Sequence, residues 1–171
     1  MKYYSLIGAD SDTRLAVEAR DGVLSDLTSV HPELEVLEDL ILAAAVSGQS
    51  IDDIARQIVE GGAPEEHELS EIVAGEGDAA LDMPFEPPEV WAAGITYKTS
   101  EMERRRESET PDVYSMVYSA ERPEVFFKAT PERCVGPDDS VGIREDSDRN
   151  VPEPELAFVL YGGEIIGYTI G

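Results

Sequence analysis

Cysteine, lysine and long apolar runs are all scarce in this sequence of 171 residues. Cys134 is the only cysteine, so no disulfide can form within the chain and a zinc cluster built on cysteines is excluded. No apolar run approaches the roughly 20 residues of a transmembrane helix, and residues 1–5 (MKYYS) lack the apolar core of a signal peptide. These absences predict a soluble, globular protein of a reducing cytoplasm.

Basic residues are few and acidic residues are many. Lysine and arginine number 13 against 37 aspartates and glutamates, which gives a net charge of −24, and only three of the 13 are lysines. A nucleic acid or an anionic membrane is therefore excluded as a partner, since both require a cationic face. Because 42% of the residues are hydrophobic, a disordered acidic tail is excluded as well. Acid excess with little lysine is typical of a halophilic protein, whose carboxylates are hydrated and screened by salt.

Three prolines between residues 83 and 88 (MPFEPP) predict an extended connector and a domain boundary. Residues 1–87 form the first predicted domain, of the α+β class, and residues 88–171 the second. Strands are expected at residues 3–7, 15–19 and 23–27. One helix is expected to open at Pro32 and Glu33, and a second follows the capping residue Ser50. His31 and His67 are expected to be loop or surface histidines.

The second part is expected to be mostly β. Strands are predicted at residues 90–96 and 124–128, helices from Thr99 and over residues 111–118, and a hairpin over residues 155–160 and 164–170. The sequence stops at Gly171 within this apolar strand run. We therefore expect a fragment of a longer architecture, or a chain that needs another to complete its sheet.

The segment at residues 151–156 (VPEPEL) carries the clearest chemical signal. Two prolines hold Glu153 in extended geometry, so Glu153 and Glu155 are expected to project from the same face. Two such carboxylates without a nearby histidine or cysteine suit a hard cation, Mg²⁺ before Zn²⁺. The alternative is a solvated acidic face, which is common in so acidic a chain.

Four short motifs occur one after another in the second part of the sequence. They are residues 91–97 (WAAGITY), 122–128 (RPEVFFK), 153–156 (EPEL) and 167–171 (GYTIG). Together they resemble the catalytic domain of the fumarylacetoacetate hydrolase family from about residue 88 onward, with residues 1–87 as the variable N-terminal domain. The resemblance implies a Mg²⁺-dependent enzyme of α-keto acids. It also implies a mostly β sandwich roll, incomplete in this sequence, after a small α+β domain.

Two departures from the family pattern matter. The third metal carboxylate of the family, the aspartate of an Asn-Asp pair, would fall after Gly171, so two glutamates alone are expected to hold Mg²⁺ weakly. The hydrolases of the family also carry Tyr-x-x-His-x-x-Glu, whereas this sequence reads Tyr97-x-x-Ser100-x-x-Glu103. Because serine cannot act as the general base, this argues against C–C bond hydrolysis.

Within the family, the sequence resembles the archaeal 2-keto-3-deoxy-pentonate dehydratases of pentose breakdown, which form 2,5-dioxopentanoate. The resemblance implies a homo-oligomer in the full-length form. Other family reactions, acylpyruvate hydrolysis and oxaloacetate decarboxylation, remain alternatives, as does a non-catalytic remnant.

The candidate site residues fall into three groups. Glu124 is the candidate acid/base, and the alternative is a surface glutamate. Lys128 could pair with the anionic end of the substrate or with a metal-bound glutamate, and the alternative is a structural salt bridge. Glu153 and Glu155 are the metal ligands. The candidate substrate-binding residues are Tyr97, Ser100 and Arg104, the last from a charged helix that could otherwise be a solvated surface carrying the i,i+4 pairs Glu101–Arg105 and Arg105–Glu109.

Overall fold

The computed structural model describes residues 1–148 and 150–171, which separate into two compact units, Met1–Asp139 and Ser140–Gly171. The strands of the first unit are β1 (Tyr3–Gly8), β2 (Thr13–Arg20), β3 (Val23–Asp26), β4 (Glu65–Glu68), β5 (Ala79–Asp82), β6 (Val90–Ala93) and β7 (Val125–Ala129). Its helices are α1 (Leu37–Ser47), α2 (Ile51–Gly61), α3 (Leu69–Ala74), α4 (Lys98–Glu107) and α5 (Pro111–Tyr118), with a short 3₁₀ helix at Pro131–Arg133. The second unit contains the strands β8 (Leu156–Tyr161) and β9 (Glu164–Ile170).

A five-stranded antiparallel sheet in the order β4-β3-β2-β1-β5 organises the first 82 residues. The predicted strands β1, β2 and β3 are confirmed. Gly22, at φ 76°, makes the turn between β2 and β3, because glycine adopts this left-handed conformation without a steric penalty. The sequence prediction missed β4, α3 and β5.

Buried apolar side chains lie on both faces of this sheet. On one face Leu6, Ala16 and Leu24 pack with Ile72 of α3. Residues Leu15 and Val17 alternate with Ala16 on β2 and are fully buried too, so they point to the opposite face. Helix α2 contacts β2, which places a helix beside this sheet. The middle of the sheet, around β2, is thus buried on both faces.

The two helices α1 and α2 differ in how well their starts were predicted. Helix α2 begins after Ser50, whose hydroxyl accepts the Asp53 amide at 3.1 Å, as predicted. Helix α1 does not open at Pro32 but at Leu37, because the preceding residues turn back on themselves. In that turn the Asp39 carboxylate accepts the backbone N–H groups of residues 35 and 36, both at 3.1 Å. This carboxylate, rather than the proline, marks the helix start.

The start of α2 is tied to the N-terminus of the chain. The Asp52 carboxylate accepts the Tyr3 hydroxyl at 2.7 Å and pairs with the terminal amine at 3.0 Å. The Tyr3 hydroxyl is the main cause that lowers the pKa of Asp52, while burial and the same carboxylate raise the pKa of Tyr3. The bond therefore joins an ionised aspartate to a neutral tyrosine.

A smaller antiparallel sheet of β6 and β7 follows, with α4 and α5 between its strands in sequence. Both strands and both helices were predicted. Trp91 and Phe127 meet edge to face, with ring centroids 5.8 Å apart. Helix α4 packs against α5, and Ser115 donates to the buried Glu101 carboxylate at 2.6 Å.

The second unit is the predicted hairpin of β8 and β9. Glycines 162 and 163 form its turn, with φ values of 60° and 86°. Its large apolar side chains lie on the more exposed of its two faces, where Phe158 and Tyr168 meet edge to face at 5.5 Å. The exposed apolar residues of this face are Leu156, Phe158, Leu160, Ile165, Tyr168 and Ile170.

The described chain is therefore a mixed α and β protein with antiparallel sheets, as expected at this coarse level. The sandwich roll and the division at residue 87 stay predictions. None of the helices in the described chain combines the length and apolar character needed to span a membrane.

Candidate active site

Glu124 lies where the end of β6 meets the start of β7. The Gly94 amide donates to the Glu124 carbonyl at 2.8 Å and so continues the strand ladder by one residue. A Cβ atom on residue 94 would lie 3.4 Å from Oε2 of Glu124 and 3.5 Å from a methyl group of Val117. These are ordinary contact distances, so the carboxylate of Glu124 and helix α5 lie directly beside the backbone of Gly94.

The residue after this glycine has a strained backbone. Ile95 has φ 49°, in the left-handed region that costs a non-glycine residue about 1–2 kcal/mol. A β-branched residue in this conformation persists only where the surrounding structure fixes it, and such residues are concentrated at functional sites. The strained turn carries the chain from β6 toward Tyr97 and α4.

An open pocket of about 310 Å³ lies beside Glu124. Four apolar residues of α5 and the residues after it form its wall, and two charged residues complete it. The lining residues are Val113, Met116, Val117, Ala120, Arg122 and Glu124. Its size and mixed lining suit a small organic molecule with one or two polar groups.

Glu124 directly precedes β7, and Lys128 lies within it at a register shift in the pairing with β6. Because such an irregularity interrupts the alternation of side chains, the spacing of the two residues does not fix them to one face. Both side chains are exposed. Within the described chain, neither side chain forms an ion pair or hydrogen bond, so the structural salt bridge considered for Lys128 is not formed with a described residue.

The three candidate substrate residues all belong to the start and the middle of α4. Tyr97 caps the helix with its carbonyl, which accepts the Glu101 amide at 3.0 Å, and its side chain is exposed. Ser100 and Arg104 are half-buried. Because they are four residues apart on the helix, they lie on one side of it.

The predicted ion pairs of α4 are confirmed in part. Arg105 pairs with Glu101 at 3.4 Å, as predicted. The helix ends at Glu107, so the second predicted pair, between Arg105 and Glu109, has no helical spacing to support it and does not occur in the described chain. Arg106 instead pairs with Glu103 at 3.1 Å.

The candidate metal ligands begin the hairpin of the second unit. Glu155 forms two backbone hydrogen bonds with Gly171, at 2.8 and 3.0 Å, which extend the hairpin by one residue pair. Its side chain is half-buried and lies on the face of Ala157 and Val159, as predicted from strand alternation. Glu153 precedes the strand and is exposed. The two carboxylates offer only oxygen ligands, which fits Mg²⁺.

A second acidic group was not foreseen from the sequence. Asp26, Glu65 and His67 place ligand atoms within 4.8 Å of one another, a grouping that could hold a metal ion. His67 lies in β4 rather than in a loop, and its buried Nε2 atom, 3.9 Å from the Asp26 carboxylate, has no hydrogen-bond partner in the described chain. His67 is thus a half-buried residue of an edge strand and not of a loop, whereas His31 is exposed as expected.

The charge at the centre of this group is already balanced by an arginine. Arg14 donates to the fully buried Asp26 at 2.9 Å and lies 3.5 Å from Glu65. Asp26 also accepts the Ser29 amide at 3.0 Å. A guanidinium in this position competes with a cation, so these contacts favour a structural role.

No model of a known protein family matches the chain, but two curated proteins are similar to it. A probable 2-keto-3-deoxyxylonate dehydratase of Haloferax volcanii is 43% identical over 175 residues, which cover 100% of this chain and 56% of the relative. The 2-dehydro-3-deoxy-D-arabinonate dehydratase of Saccharolobus solfataricus is 50% identical over 101 residues, which cover 54% of this chain and 33% of the relative.

Solved structures give the same result. A hexagonal crystal form of 2-keto-3-deoxyarabinonate dehydratase aligns with a TM-score of 0.68 at 30% identity, covering 99% of this chain and 55% of that chain. A 2-keto-3-deoxy-D-arabinonate dehydratase complexed with magnesium and 2,5-dioxopentanoate aligns with a TM-score of 0.66 at 27% identity, over 99% and 54%. The resemblance to 2-keto-3-deoxy-pentonate dehydratases is thereby confirmed: this chain is similar to them along its whole length and spans about half of theirs.

Proposed function

We propose that this chain takes part in the Mg²⁺-dependent removal of water from a 2-keto-3-deoxy-pentonate, which gives 2,5-dioxopentanoate. The observation that carries the proposal is the exposed carboxylate of Glu124 at the strained Gly94–Ile95 turn, beside a pocket of suitable size. The similarity to dehydratases, one of them solved with magnesium and 2,5-dioxopentanoate, supports the substrate class.

Glu153 and Glu155 would hold the Mg²⁺ ion. Their donor set is made of carboxylate oxygens alone, which is the chemistry that this hard cation prefers. When bound, Mg²⁺ supplies Lewis-acid polarisation of a keto acid, which makes a proton on the neighbouring carbon easier to remove. Two glutamates leave most coordination positions open, so we expect weak affinity without further ligands.

Glu124 would move protons during the elimination. Dehydration removes a proton from C3 and the hydroxyl group from C4, and later proton shifts convert the C5 alcohol to an aldehyde. A carboxylate can accept the first proton and, once protonated, can donate it to the departing hydroxyl. Apolar side chains of α5 line the pocket beside this carboxylate.

Residues of α4 and β7 would orient the substrate. Tyr97, Ser100 and Arg104 offer two hydroxyl groups and a guanidinium, which can bind the hydroxyl and carboxylate groups of a sugar acid. Lys128 would contribute a positive charge for the anionic end of the substrate. The serine at position 100 fits dehydration better than hydrolysis, because it provides no general base.

We also propose a cytoplasmic, salt-adapted archaeal protein that forms homo-oligomers in its full-length form. Contact between two copies of so acidic a chain requires a surface without charge, because the like charges repel. The exposed apolar face of the hairpin formed by β8 and β9 is such a surface.

The direct test is an assay of the chain in molar KCl with 2-keto-3-deoxy-D-arabinonate and 2-keto-3-deoxy-D-xylonate. We expect formation of 2,5-dioxopentanoate, followed by NMR through its aldehyde proton, that requires Mg²⁺ and increases up to high Mg²⁺ concentration. Acylpyruvate and oxaloacetate serve as competing substrates. Turnover of either in place of the pentonates, or turnover of no substrate, would overturn the proposal.

A further inference from the structure

We propose that Arg122 binds the carboxylate of the 2-keto acid in the pocket beside Glu124 and thereby selects substrates with an anionic end. This inference deepens the proposed function, on which its substrate class depends. The residue was not among those that the sequence pattern indicated, although it lies only two positions before Glu124.

The first argument is the composition of the pocket. Apart from Arg122 and Glu124, its lining is apolar and comes from α5 and the residue Ala120. An apolar wall with one cationic and one anionic side chain fits a ligand whose carbon skeleton carries one negative group and one group that exchanges a proton. A 2-keto-3-deoxy sugar acid has both.

The second argument is the lack of a partner for Arg122. In a chain with 37 acidic residues, most described arginines pair with a carboxylate. The arginines in such ion pairs are Arg14, Arg20, Arg56, Arg105, Arg106 and Arg144. Arg122 makes no ion pair or hydrogen bond with its side chain in the described chain, and neither do Lys98, Lys128 and Arg133. Among these four, Arg122 alone lines the pocket.

The third argument is local geometry. Pro123 follows Arg122 and fixes its own backbone φ, while it also keeps the preceding residue extended. The ladder bond between Gly94 and Glu124 fixes the chain one residue further on. The backbone that carries the Arg122 guanidinium is thus constrained and lies next to Glu124. A guanidinium held in this way suits bidentate binding of a substrate carboxylate.

The role is compatible with a metal-dependent reaction. A 2-keto acid has a keto oxygen and two carboxylate oxygens. One carboxylate oxygen and the keto oxygen suffice to chelate a metal ion, so the other carboxylate oxygen remains available to accept from a guanidinium.

The test uses 2-oxopentanoate, which has the five-carbon keto-acid skeleton but no hydroxyl group that can leave. Its binding to the chain is followed by NMR titration in molar KCl, with and without Mg²⁺, beside pentan-2-one, which lacks the carboxylate. We expect Arg122→Gln to weaken 2-oxopentanoate binding about 10- to 100-fold, the effect of one charged hydrogen-bonding pair. Binding of pentan-2-one should not change.

Two further variants sharpen the result. Arg133→Gln removes the same charge from another unpaired arginine outside the pocket and should bind 2-oxopentanoate like the parent chain. Arg122→Lys keeps the charge without the planar fork and should lie between the parent and Arg122→Gln. Equal binding by the parent and Arg122→Gln, or no binding of 2-oxopentanoate by the parent, would overturn the role of Arg122. Since the probe cannot be dehydrated, a failed dehydration assay would leave this result interpretable.

Discussion

Replacing Glu124 with glutamine is expected to lower the rate of dehydration by about 10²- to 10⁴-fold, the usual contribution of a positioned acid/base group. Glutamine keeps the shape of the side chain and its contact above Gly94 but cannot accept or donate the proton. Because the amide still fills the same space, KM for the pentonate should change little, and the loss should appear in kcat. Steady-state kinetics at saturating Mg²⁺ measure both parameters.

Glu121→Gln is the matched control. It removes the same charge three residues away, from an exposed side chain that does not line the pocket. We expect its kinetics to match those of the parent chain. An unchanged kcat for Glu124→Gln would show that this carboxylate is the surface glutamate of the alternative interpretation.

Replacing Asp26 with alanine is expected to destabilise the first unit by about 3 kcal/mol. Breaking a buried ion pair from one side typically costs 3–5 kcal/mol, because the remaining charge loses its partner. We expect the lower end of this range, since the Arg14 side chain is 29% exposed and can be hydrated, and since Asp12 still pairs with it at 2.8 Å. Urea denaturation in molar KCl, followed by circular dichroism, gives the change in free energy of unfolding.

Two comparisons show whether this ion pair is the cause. Glu65→Ala removes an exposed carboxylate at 3.5 Å from the same arginine and should cost no more than about 0.5 kcal/mol. Addition of EDTA should not destabilise Glu153→Gln, which lacks one of the proposed Mg²⁺ ligands. If EDTA lowers the stability of this variant, or if Asp26→Ala unfolds like the parent, the group of Asp26, Glu65 and His67 is not held by Arg14 as described.

The predictable parts of the fold were those with a clear local signal. The hairpin at Gly22, the cap at Ser50 and the alternating strands β8 and β9 have turn, capping and period-two patterns that act over a few residues. Strand β4 has none: its sequence is EEHE, without a single apolar residue. It becomes a strand because it pairs with β3, and Arg20 at the end of β2 forms an ion pair with its Glu66 at 2.6 Å. The paired residues, from Asp26 with Glu65 to Val23 with Glu68, are far apart in the sequence, so no local pattern predicts the pairing.

The candidate site, like the fold, has parts that local sequence patterns predict and parts that they do not. Residue type and spacing indicated Glu124, Glu153 and Glu155, since carboxylates between prolines or next to aromatic strands are conspicuous. Contacts between distant elements could not be read from spacing. The approach of α5 to Gly94, which creates the pocket and brings in Arg122, depends on packing between elements some 20 residues apart. The strain at Ile95 likewise has no sequence signature, since isoleucine favours extended backbone.

The central claim, that Glu153 and Glu155 together hold Mg²⁺, is tested most directly by NMR titration of the chain with Mg²⁺ in molar KCl, where nonspecific binding to the acidic surface is screened. We predict saturable shifts of the amide signals around residues 153–156, with a Kd of about 1 mM or weaker. Glu153→Gln and Glu155→Gln should each abolish them, whereas Glu164→Gln, on the same hairpin, should not. Identical titrations for all four chains would contradict the account.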